Sequence, residues 1–199
     1  MEFIRVVIEI LDSIENREIS SMIVDSIRDP QLSKLIRRSS RKPFTFASLP
    51  GILYFASMLP RITEDFLLRL HELPLKIRSV YPIDFGCKDS KLRTLSPIYN
   101  IYDPRDDEFW EKIIDELEER IIAFWGIEPK QRPRIEVRRY RKVTYKIPEP
   151  IEAFDVEFEI QGSKEYLCAG LLGGFGLNTH LGLGYVTYAQ ERQSRPWDL

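Results

Sequence analysis

The sequence predicts an α+β fold built as two tandem units, and three observations predict it. Short segments rich in Val, Ile, Phe and Tyr recur along the chain. Stretches with apolar residues three and four apart lie between them. Their order is strand, helix, strand, strand, helix, strand, and it then begins again near the middle. A βαββαβ order closes a four-stranded antiparallel sheet under two helices, the ferredoxin-like arrangement.

The elements follow in turn. Residues 3–11 are dense in Val and Ile and read as a strand. Residues 19–37 carry Ile19, Ile23, Ile27, Leu32, Leu35 and Ile36 at helical spacing, with a break at Asp29-Pro30. The segments 42–48 and 52–58 are strands around a turn at Leu49-Pro50-Gly51. Thr63 is expected to cap a helix bearing Phe66, Leu67, Leu70 and Leu73, ended by Pro74. Residues 75–85 close the first unit, residues 1–88. The joint lies near 86–91, and the second unit is residues 89–199.

There, residues 92–101 are extended. A long helix starts at Asp103 or Asp106 and runs to about Trp125. Its core positions are Phe109, Ile113, Ile114, Leu117, Ile121 and Phe124, and its acids are placed on the solvent side. Strands are expected over 134–147 and 151–160, around Pro148-Glu149-Pro150. A short helix over 163–171, a glycine-rich segment over 173–186 and a last strand over 183–188 follow. The polar tail, 190–199, is expected to fray.

Composition narrows the class of function. Lys and Arg number 29 against 31 Asp and Glu, so global charge does not point to nucleic acid. The cysteines, Cys87 and Cys168, form no CxxC pair and are expected to be ordinary buried thiols in an intracellular protein. No stretch approaches the ~20 apolar residues needed to span a bilayer, and the N-terminus lacks the features of a signal peptide. A soluble, cytoplasmic protein without membrane partners is expected.

Three segments could carry chemistry. In the glycine-rich segment, Gly173, Gly174, Gly176, Gly182 and Gly184 fall within twelve residues. Glycines permit positive φ and close approach, and successive N–H groups can then cradle an anion. The pattern is neither a Walker loop nor a dinucleotide fingerprint, so no nucleotide cofactor is expected. Gly174, Gly176, Asn178, Thr179, Gly182 and Gly184 are the candidate phosphate-contacting positions, the alternative being a flexible loop with turn glycines, and His180 could reach a bound phosphate. The second segment is the basic strand. Strict alternation puts Arg132, Arg134, Arg138, Tyr140, Lys142 and Lys146 on one face, suited to phosphates and a stacked base. The alternative is a solvated edge strand. The third is Arg37-Arg38-Ser39-Ser40-Arg41-Lys42, either a phosphate site or a helix end with cations on its dipole. His71 is expected to be a surface or packing residue. No metal-ligand motif occurs, and no metal or other cofactor is expected.

These residues resemble a known family. The strand RVVIEI, the hairpin KPFTFASLPG, the stretch LRTLSPIYNIYDPRDDEFW and the segment GFGLNTHLGLGYV are similar, in that order, to the CRISPR-associated endoribonucleases of the RAMP superfamily that cut repeat RNA into guide units. The resemblance implies two ferredoxin-like domains and metal-independent cleavage, in which a base frees a ribose 2′-hydroxyl to attack the adjacent phosphate and an acid serves the leaving oxygen. It implies CRISPR repeat RNA as partner, and leaves room for other CRISPR-associated proteins and a homodimer. Many members carry a histidine at the end of the first helix, where this chain has Arg37-Arg38-Ser39-Ser40. The expected site is therefore an atypical set, Arg38, Ser40, Lys42 and His180, with Arg37 and Arg41 among the RNA contacts. The alternatives are a non-catalytic RNA-binding paralogue and a structural subunit of a ribonucleoprotein.

Overall fold

A computed structural model of the chain describes residues 5–11, 14–73, 76–83, 87, 91–147 and 149–189. Most of the expected joint, Pro148 of the expected turn and the expected tail lie outside the described residues. The first half runs β1 (Arg5–Ile10), α1 (Asn16–Ser26), α2 (Pro30–Arg38), β2 (Phe44–Leu49), β3 (Ile52–Ser57), α3 (Pro60–Arg69) and β4 (Ile77–Ile83). The second runs β5 (Lys91–Thr94), α4 (Asp107–Trp125), β6 (Arg134–Ile147), β7 (Glu149–Gln161), α5 (Lys164–Gly173) and β8 (Val186–Tyr188). The two four-stranded sheets are ordered β2-β3-β1-β4 and β6-β7-β5-β8. The second repeats the first strand for strand, and every neighbouring pair is antiparallel. The tandem ferredoxin-like architecture expected from the element order is the one observed.

Local chemistry sets the element ends. Asp29 divides the first helical stretch in two. Its Oδ1 accepts from the N–H groups of Gln31 and Leu32 at 2.9 and 3.1 Å, and Pro30 opens α2, where a missing N–H costs nothing. α3 also opens on a proline, Pro60, so the expected cap at Thr63 is displaced into the helix. There Thr63 is buried, and its hydroxyl has no hydrogen-bond partner among the described residues. α4 ends at Gly126, which takes the left-handed conformation at φ 66°. β5 stops at Thr94, short of the expected strand, because residues 95–100 bend to receive the glycine segment.

Two cores follow from the layers. The helices of the first half cover one face of its sheet, where Ile19, Ile23 and Phe66 share a core with the strand residues Phe44, Phe46 and Phe55. The other face, with Val7, Ala47, Tyr54 and Ala56, joins the core of the second half. β1 and β3 are therefore buried on both faces, which explains the near-continuous apolar runs RVVIEI and ILYFAS. Arg5 lies in this seam, only 2% exposed. Its Nε donates to the Tyr185 hydroxyl at 3.0 Å and its Nη2 to the Val186 carbonyl at 2.6 Å. Its guanidinium also sits 4.6 Å from the centre of the Tyr185 ring. A buried cation satisfied from across the seam ties one sheet to the other.

The expectation of free thiols is corrected. Cys87 and Cys168 form a disulfide with their Cα atoms 5.6 Å apart, across a separation of 81 residues. The two residues converge through folding, which spacing along the chain does not reveal. The bond ties the connection between the halves to α5. Replacing both cysteines by serine is expected to lower stability by about 2–4 kcal/mol. Urea unfolding of native and double-variant protein, each with and without reductant, checks this. Reductant should shift only the native curve. No helix among the described residues is long and apolar enough to cross a membrane.

Candidate functional site

The glycine segment leaves α5 at Gly173, folds over residues 95–99, makes a 3-10 turn at Thr179–Leu181 and enters β8. Its backbone is tightly bonded inside the protein. The N–H of Gly174 donates to Gly170 O, that of Phe175 to Gly184 O, that of Leu177 to Tyr99 O and that of Gly184 to Pro97 O, at 2.8–3.2 Å. Gly184 has φ +65°, and a Cβ there would stand 1.9 Å from the Phe175 carbonyl oxygen. Gly174, Gly176, Gly182 and Gly184 are all buried. The expectation of glycine N–H groups open to an anion is therefore corrected at Gly174, Gly182 and Gly184, whose N–H groups go to protein carbonyls. These glycines shape the loop, because its turns are packed too closely for side chains.

The loop is held from beneath by a residue that pattern reading missed. Arg120, on α4, is 2% exposed. Its Nη1 donates to the carbonyls of Gly173 and Gly174 at 3.0 and 2.8 Å, and its Nη2 to that of Gly176 at 2.9 Å. Burial pulls its pKa down to about 10, so it stays charged at neutral pH. Glu116, one turn earlier, is also buried, although the helix's acids were expected on the solvent side. The one visible signal was that both charges fall on the apolar stripe of the helix, three residues after Ile113 and Leu117.

Glu116 and Arg120 form the floor of a cavity of about 210 Å³ between the two halves. Ser40, Arg41 and Lys42 line it from the first half, and Leu177, Asn178, Thr179 and His180 from the glycine segment. Arg41 pairs with Glu116 at 3.1 Å and also with Glu119. Lys42 directs its ammonium to the α2-end carbonyls of Ile36, Arg37 and Ser39. Burial, then Arg37, lowers its pKa. Thr179 is buried, and its hydroxyl donates to the Phe44 carbonyl at 3.4 Å. The imidazole of His180 makes no hydrogen bond with any described residue. Burial foremost, then the cations Lys42 and Arg120, push its pKa down to about 4. It is neutral at pH 7 and able to accept a proton. Arg37 and Arg38 are exposed at the end of α2 and do not line the cavity, and Arg37 pairs with Asp25. His71 lies exposed beside Glu72.

The basic strand differs from its expected form in two ways. The β6–β7 register shifts between Val137 and Arg139, so Arg138 is an extra residue in a bulge. A one-residue shift exchanges the faces beyond it. Tyr140 and Lys142 therefore share a face with Ile135 and Val137, opposite the core residues Val156 and Phe154, and Arg134 lies on the other face. Moreover, three of the expected cations are paired. Arg132 meets Asp115 and Glu118 at 2.8 and 2.9 Å, Arg138 meets Glu136 and Glu159 at 3.0 and 2.9 Å, and Lys142 meets Glu152 at 2.7 Å. Ion pairs to α4 and β7 break up the expected uniform basic face. The distal part of β6 reaches the glycine segment, where the Tyr145 hydroxyl accepts from Asn16 Nδ2 at 2.7 Å and donates to Gly182 O at 3.0 Å. A larger apolar groove lined by Met58, Leu59, Phe124, Trp125 and Ile127 contains none of the candidate residues.

No curated protein matches this chain in sequence. Among solved structures, one from the characterization of a Cas6-related gene from Pyrococcus furiosus aligns with a TM-score of 0.79 and 21% identity, over 96% of this chain and 100% of that one. A RAMP protein binding different RNA substrates aligns at 0.75 and 22%, over 92% and 98%. A CRISPR associated protein Cas6 aligns at 0.74 and 20%, over 95% and 100%. At these identities the likeness is one of fold. The model of the family CRISPR associated protein Cas6, C-terminal, matches residues 83–188, from the end of β4 through the glycine segment to the end of β8. With more than half its length matched and the same two-sheet fold throughout, the chain belongs to the CRISPR-associated Cas6 family.

Proposed function

We propose that this chain binds CRISPR repeat RNA and cuts it into guide units, without a metal, by attack of a ribose 2′-hydroxyl on the neighbouring phosphate. The carrying observation is the cavity where Ser40, Arg41 and Lys42 meet Asn178, Thr179 and His180. Membership of the Cas6 family supports the RNA and the reaction. In this reading residues 1–88 and 89–199 are the two domains, and the scissile phosphate sits in the cavity between them. Neutral His180 takes the 2′-hydroxyl proton as the new O–P bond forms. Arg41 and Arg120 stabilise the charge that gathers on phosphorus-bound oxygen. Lys42, which releases its proton more readily than an ordinary lysine, serves the leaving 5′-oxygen. The products are a 2′,3′-cyclic phosphate and a 5′-hydroxyl. Ser40 orients the phosphate, and Arg37 and Arg38 guide the strand toward it.

A second reading is binding without cutting. Lys42 favours it, because its ammonium is already directed to three backbone carbonyls. Incubating the protein with end-labelled repeat RNA in EDTA separates the two. Cleavage with a cyclic-phosphate end is expected. Intact RNA held with salt-sensitive affinity would leave binding as the function. Affinity for repeat RNA no better than for unrelated RNA would remove both readings.

A further inference from the structure

Asn178 combines features that loop architecture alone does not require. It is the one non-glycine residue with positive φ among those described, at φ 56° and ψ 31°. Asparagine tolerates this region better than most residues, but glycine holds it with least strain. The same loop uses glycine for positive φ at 174, 176, 182 and 184. At 178 a side chain is kept where the backbone would be served by none.

That side chain has no internal task. It makes no capping bond to the 3-10 turn that follows, and its amide has no hydrogen-bond partner among the described residues. The residue is exposed and lines the cavity that also holds His180 and Ser40. The backbone on either side is pinned: Leu177 N–H donates to Tyr99 O at 3.2 Å, and Leu181 N–H to Asn178 O at 2.9 Å. The amide is thus presented to the cavity mouth from a rigid support.

A carboxamide offers one acceptor and two donors in a plane. That pattern matches the edge of adenine, which places a donor and an acceptor side by side, and the fit is bidentate. In single-stranded RNA such an edge is accessible, because unpaired bases can be turned outward. We infer that Asn178 reads the edge of an adenine in the repeat RNA beside the cut site, and so sets which position of the repeat is cut. This rests on the proposed RNA function and adds the choice of base to it.

The test is a panel of repeat RNAs in which each position near the cut is replaced in turn, bound to native protein, Asn178→Gly and Asn178→Asp. Glycine accepts the same φ, so Asn178→Gly keeps the loop and removes only the amide. Thermal unfolding at the native temperature verifies this. At one position, native protein should prefer adenine by about 5- to 150-fold, the range for a bidentate base contact. Asn178→Gly should bind the RNA with adenine at that position no better than the RNAs substituted there, whatever its overall affinity. Asn178→Asp, which keeps the shape and loses the donors, should lose the preference too. Native protein without any repeat preference would fail the functional reading itself. Native discrimination that persists in Asn178→Gly would overturn the role of Asn178 alone.

Discussion

Replacing Arg120 by alanine is expected to destabilise the protein by about 3–5 kcal/mol. The change strands three buried carbonyls, those of Gly173, Gly174 and Gly176. An unsatisfied buried acceptor costs about 1–3 kcal/mol, and the emptied volume adds to it. Against a total stability of about 5–15 kcal/mol, this is a large share. For a chain of this size, each kcal/mol moves the melting temperature by about 2–4 °C, so a fall of roughly 10 °C is expected. Arg120→Lys should recover part of the loss, because one ammonium cannot match a planar fork aimed at three carbonyls. Circular dichroism melts of the two variants check this. A melt of Arg120→Ala within about 2 °C of native would show that the loop finds other donors. RNA affinity should fall with stability, since the loop forms one wall of the cavity.

Cleavage should persist in acid well below the range of an ordinary histidine. His180 acts as a base only when neutral. Burial first, then Lys42 and Arg120, push its pKa down to about 4. The single-turnover rate should therefore hold from pH 7 to about 5 and fall by half near pH 4. An unperturbed imidazole would lose its activity near 6.5. Lys42→Ala removes one of the depressing charges, and its acid limb should move to higher pH. His180→Ala should slow cleavage by about 10²- to 10⁴-fold. A rate indifferent to His180→Ala would take the imidazole out of the chemistry. Stability has the matching sign. The unfolded chain binds this proton near pH 6.5 and the folded chain only near 4. Acidification through that window should cost up to about 3 kcal/mol, and His180→Ala should abolish that loss. Because this readout needs no RNA, it tests the buried histidine independently of the proposed activity.

Much of the fold was legible because it depends on local periodicity. Alternating and helical apolar spacing gave the element order of both halves, and the repeat of that order gave the duplication. The candidate site was legible in part. Ser40, Arg41, Lys42, Asn178, Thr179 and His180 do come together. Arg37 and Arg38 stand outside, and Arg132, Arg138 and Lys142 are spent on acids of α4, β6 and β7. The bulge at Arg138 went unseen because a bulge is an event between two strands. Arg120 and Glu116 were visible only as charges out of place on an apolar stripe.

By itself, then, the sequence determined the two βαββαβ halves, the turns, the glycine segment and the family resemblance, all carried by residues near one another along the chain. Only the tertiary structure decided which charges are free, which are paired and which are buried. It also decided that the glycines pack against other parts of the fold, that Cys87 bonds to Cys168, and that one cavity joins residues 40–42 to residues 177–180. The physical reason is that burial and pairing depend on what arrives from distant parts of the chain. A cation reads the same in sequence whether it faces water, a carboxylate or three carbonyls, and its chemistry differs in each.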